Sequence, residues 1–179
     1  MKKLSVSLKE SRFVDLINKK FTGEIRKEDM IGNLQKLKPV DIGTSVLWAD
    51  DDLCDGGNYL FTFDEVTDML KGSEWRLPTV SEVRKLKDFE KDFRDGECIF
   101  TNNGTSLTFY GHGYINVSEK SKGIQFPENV EGWTADVYPD DCISIYLMNP
   151  PENVIVGRYP VVYKESKRSA RLVKDKKDK

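Results

Sequence analysis

Histidine is almost absent from this chain: His112 is the one imidazole in 179 residues. Histidine acid–base catalysis and multi-histidine metal sites therefore have little to work with. Cysteine is scarce and odd in number. Cys54, Cys98 and Cys142 are widely spaced and form no Cys-x-x-Cys pair. We expect neither a disulfide framework nor a zinc site, and read all three as small, partly buried side chains. Excess charge of one sign is lacking too. The formal net charge is -2, which gives no field that would favour nucleic acid. No apolar run approaches the length of a membrane span. Residues 1–10 open like a signal peptide, but serines interrupt the apolar stretch and charges end it, leaving no h-region or cleavage site. The expectation is a protein made in the cytoplasm that stays there or leaves by a route other than secretion.

What is present is aromatic. Nine Phe, seven Tyr and three Trp supply large buried areas, enough for a folded core in an otherwise polar chain. The length suits one domain with a short extension. Residues 1–39 differ from the rest. Ser11 caps a stretch in which Phe13, Leu16, Ile17 and Phe21 share a helical face, and a second stretch carries Ile25, Met30, Leu34 and Leu37 before Pro39 stops it. These helices have no core of their own. Packing on the same chain and an anchor or oligomer contact are both open.

From residue 40 the pattern changes. Residues 40–49 read as an extended segment entering the core, followed by an acidic, glycine-rich loop at 50–57. Thr62 with Glu65, and Thr79 with Glu82, each form the sequence of a capping box, predicting two short helices. The second carries Val80, Val83 and Leu86 as its apolar stripe. Beyond about residue 98 strands are expected near 106–110, 114–117, 143–148, 154–159 and 170–173, with a turn at Asn102-Asn103-Gly104. Two early helices and several later strands predict an α+β domain over 40–175. The basic stretch 164–179 is broken by acids and reads as a solvated tail rather than a phosphate-binding arm, with 176–179 its charged end.

Five short strings in this order resemble the Fibrobacter-type major paralogous domains. They are residues 40–49, Trp75-Arg76-Leu77-Pro78-Thr79, Gly111-His112-Gly113-Tyr114, Gly132-Trp133-Thr134-Ala135 and 169–175. The resemblance covers roughly residues 40–175 and implies a C-type-lectin-like fold in which the first and last strands pair. Trp48 and Trp75 are then core anchors, Arg76 pairs with a carboxylate or backbone carbonyls, and Pro78 sets the turn before the second helix. These residues are scaffold, which leaves binding to loops. The chain departs from the family at 118–131, which is short and polar, and at Trp133-Thr134-Ala135-Asp136.

The calcium–sugar strings of true C-type lectins are missing. Pro127-Glu128-Asn129 and Pro151-Glu152-Asn153 have the letters in another order. The acidic clusters Asp50-Asp51-Asp52 and Asp140-Asp141 offer oxygen ligands for Ca²⁺, yet loop aspartates commonly form turns or face water. We therefore expect no metal, no cofactor and no catalysis. Tyr110, Tyr114, Trp133 and Tyr138 are the candidate sugar-stacking face, with a core position the alternative, above all for Trp133. His112 is read as a strand-end residue.

Domains of this family are typically exported, and related ones occur in phages of gut bacteria, including crAss-like phages. The resemblance then implies a non-enzymatic virion structural protein: a capsid decoration, head fibre or tail-associated component. It would be multi-copy, contacting other virion proteins and a host-surface glycan or protein. The alternative is a bacterial surface or secreted module that binds a glycan or protein.

Overall fold

Strands dominate the residues described by the computed structural model, which are 33–94, 96–116, 123–138, 142–149, 153–160 and 165–177. In chain order these are β1 (Pro39–Val40), β2 (Val46–Asp52), α1 (Phe63–Met69), α2 (Val80–Lys85), a 3-10 turn (Leu86–Asp88), β3 (Glu90–Arg94), β4 (Glu97–Asn102), β5 (Thr105–Tyr110), β6 (Val130–Val137), β7 (Cys142–Asn149), β8 (Asn153–Pro160) and β9 (Arg171–Asp175). They build three antiparallel sheets ordered β1-β2-β9, β3-β4-β5 and β6-β7-β8. All fall within one unit, Gly32–Lys179. The N-terminal Phe13, Leu16, Ile17 and Phe21 lie outside the described residues.

The α+β, C-type-lectin-like expectation is corrected: the described residues are mainly β, with two helices of two turns or less. The helices are conspicuous in sequence because both capping boxes form as expected. Thr62 and Thr79 each accept from the N3 amide, and Glu65 and Glu82 each reach back to the cap amide. The uncounted strands carry weaker signals. In β3, Phe93 is the only large apolar residue among charges, and β6 contains Gly132. Conversely, Tyr114 and Ile115 make isolated bridges rather than a strand.

Asn103 and Gly104 take φ of 49° and 78°, the two left-handed positions that a tight hairpin between β4 and β5 needs. Their strands meet in register from Asn102–Thr105 to Glu97–Tyr110. That hairpin delivers Phe100 and Phe109 to the interior, where Phe109 sits edge-on to Trp48 at 5.7 Å, Phe100 at 5.6 Å and Tyr146 at 6.0 Å. Val83 and Leu86 cap this cluster from the helical side. One aromatic residue thus joins all three sheets.

The expected loop at 50–57 is corrected as well. Residues 50–52 complete β2, and Leu53 is buried. So is the expected tail at 164–179: Ser166 and residues 168–173 are buried, while Glu165 and residues 175–177 face solvent. β9 pairs with β2, Val173 also bridges Arg76, and Ser169 bridges Gly132. Charge count failed here because Arg168 and Arg171 take internal partners.

Candidate functional site

Two glycines allow a close passage just beyond β5. A Cβ on Gly113, whose φ is 64°, would meet Gln125 O at 2.2 Å, and one on Gly111 would meet Glu128 O at 2.5 Å. Without side chains, the 111–113 backbone lies against residues 125–129. Gly113 N–H donates to Asn129 O at 3.2 Å, and Gly111 N–H to Gly96 O at 2.6 Å.

His112 stands between them. Its ring stacks on Tyr59, with centroids 4.2 Å apart and planes 9° apart. Its Nε2 lies 3.1 Å from Asp52 Oδ2. Asp52 is buried, and its Oδ1 faces Arg171 Nε at 2.8 Å. The Arg171 guanidinium donates to the carbonyls of Ala49 and Thr108 and lies 4.7 Å over the Phe109 ring. A buried charge needs a partner and hydrogen bonds together, and Arg171 has both. The Arg171–Asp52–His112 chain therefore fixes the imidazole from beneath. The Tyr59 hydroxyl is held above its usual range, first by its hydrogen bond with Cys54, then by partial burial and the Asp51 and Asp52 charges. It stays a neutral phenol.

These rings wall a cleft of about 600 Å³, within the usual range of ligand sites. Tyr59, Tyr110 and His112 supply its aromatic surface, and Asp51, Glu97 and Glu128 its carboxylates. Among the described residues no lysine or arginine lines it. A histidine held by an aspartate is half of a general-base arrangement, but among the described residues no serine, threonine or cysteine lines the cleft as a nucleophile. Among the described residues no group of three His, Cys, Asp or Glu side chains is placed to hold a metal ion.

The wall next to Glu128 is held from behind. Phe126 is exposed and has φ of 46°, a costly conformation for a bulky residue. Its ring stacks at 6.0 Å on Tyr114, over which Arg168 lies at 5.5 Å. Arg168 is fully buried, lies 4.9 Å over Trp133 as well, and pairs with Glu131. Burial pushes the Glu131 carboxyl up, against the pull of Arg168.

The four residues expected as one stacking face are thus separated. Tyr110, 37% exposed, lines the cleft. Tyr114 supports the loop behind it. Trp133 is in the interior, its indole N–H donating to Phe61 O at 2.8 Å. Tyr138 is half-buried just past β6. The expected scaffold residues lie away from the cleft. Trp48 is buried and donates to Thr44 Oγ1 at 3.0 Å. Trp75 is buried with Lys174 5.0 Å over its ring. Arg76 makes a two-pronged pair with Glu82 at 2.7 and 2.9 Å and a further bond to Asp175 at 2.7 Å. Pro78 O accepts from Ala135 N–H at 2.8 Å. Cys98 is buried, which pushes its thiol up to about 12, and Cys54 is half-buried beside Tyr59.

Sequence reasoning singled out neither Tyr59 nor Arg171 for the site and named Asp52 only among the oxygen ligands of an acidic loop; the three meet only through folding. The Gly-His-Gly string was the one local signal of a tight backbone passage. No family model matches the chain, and no curated protein or solved structure matches it either. No helix among the described residues is long and apolar enough to cross a membrane.

Proposed function

We propose that the chain is a non-enzymatic binding module carried on a phage particle, as a capsid decoration, head fibre or tail-associated component, with the cleft as its ligand site. The observation that carries the binding reading is the ring-walled cleft over the Arg171–Asp52–His112 chain. Stacked, hydrogen-bonded rings are already ordered before a ligand arrives, so little conformational freedom is lost on binding. The particle reading is supported by the five-string resemblance of residues 40–175.

The test is mass spectrometry of density-banded particles from lysates of the source culture. Abundance comparable to capsid components is expected. Retention in the host membrane or soluble fraction would sink the particle reading and favour a bacterial surface or secreted binding module.

A further inference from the structure

Resting on the binding reading, we infer that the cleft takes a cationic group, an ammonium or guanidinium carried by its ligand. The fold uses one arrangement three times. Arg171 lies over Phe109 and pairs with Asp52. Arg168 lies over Trp133 and pairs with Glu131. Lys174 lies over Trp75 with Glu74 at 3.5 Å. Each time an aromatic face and a carboxylate hold one cation between them, which suits the negative face of the ring and the need to neutralise the charge.

The cleft repeats the first two parts. Glu97 and Tyr110 are direct cross-strand partners at the β4–β5 edge. Tyr59 carries Asp51 near it. Glu128 completes the rim, and the described lining residues include no lysine or arginine. The imidazole Nε2 is engaged by Asp52, so His112 presents its ring to the cleft. An anionic ligand would meet three carboxylates. A neutral sugar would gain stacking and hydrogen bonds but nothing from the field. A cation gains from rings and carboxylates together. A lysine or arginine side chain of a partner protein and an amino sugar of a glycan share this chemistry.

The test titrates the ¹⁵N-labelled full chain, at low salt, with N-α-acetyl-lysine methylamide, N-α-acetyl-arginine methylamide and glucosamine. Their neutral counterparts are N-α-acetyl-norleucine methylamide and N-acetylglucosamine. The cationic probes are expected to shift the amides of Gly111, His112 and Glu128 and to bind about tenfold more tightly than the neutral ones. The preference should shrink as salt is raised, and Glu97→Gln and Glu128→Gln should each weaken binding while leaving distant amides unmoved. Tighter binding of the amino-acid probes assigns a protein partner, and tighter binding of glucosamine a glycan. N-acetylglucosamine binding as tightly as glucosamine would overturn the cationic inference and leave the binding reading standing. No shift at the cleft with any cationic probe would overturn it too, the binding reading then being judged by cell attachment of cleft variants.

Discussion

Arg171 shows how far a single side chain reaches. It neutralises Asp52, and Asp52 fixes His112, so its removal leaves a buried carboxylate without its cation. Arg171→Met should cost about 3–5 kcal/mol, read by urea unfolding. Asp52→Asn placed on top should recover part of that loss, because the stranded charge goes with it. A cost below about 1 kcal/mol for the single variant would mean the pair does not organise the site. None of this was legible locally. Asp52 sits in an acidic string that reads as a loop, and Arg171 in a basic string that reads as a tail. Charge patterning sees composition, whereas burial depends on partners brought from remote parts of the chain.

At the scale of elements, side-chain chemistry that acts within a few residues was legible. Both capping boxes and the Asn-Gly hairpin turn stand where the sequence places them. The α2 cap also carries a contact beyond its own turn, since Glu82 serves both the Thr79 amide and the Arg76 guanidinium. Burial alone would raise the Glu82 carboxyl, but the Arg76 and Thr79 bonds outweigh it and hold it below the usual carboxylate range. A carboxyl held low in the fold contributes stability above its unfolded-state pKa and loses it as pH falls through the folded value. Glu82→Gln should therefore be less stable than the parent chain near pH 7, and the gap should narrow below about pH 4. A gap that stays constant from pH 7 to pH 3 would show that the Glu82 charge does not contribute. Strands were less legible because their pattern depends on which face is covered. β3 is charged along most of its length, and β6 contains a glycine at the point where Tyr146 crosses it: a Cβ on Gly132 would meet the Tyr146 hydroxyl at 2.3 Å.

At the scale of the whole described unit, Phe109 and the run 166–173, buried except at Lys167, decide the architecture. The first ties the sheets together through ring contacts, and the second threads between β2, Phe61, Arg76 and Gly132. The pairing of β2 with β9 closes the unit. The balance of helix and strand was not legible, because two well-signalled helices outweighed strands whose partners lie far along the chain. Legibility of the site was partial for the same reason: Tyr110 was named as a binding residue, while His112, Asp51 and Glu128 were read in other roles and Tyr59 and Glu97 were not singled out.

The proposed function places binding at this cleft. The most direct measurement is attachment of the purified, fluorescently labelled chain to bacteria from the source culture, compared with a Tyr59→Ala/Tyr110→Ala variant whose fold is verified by its spectrum. Loss of two ring faces predicts at least about a tenfold fall in apparent affinity. Unchanged attachment by the folded variant would contradict the claim and move the binding surface elsewhere on the chain.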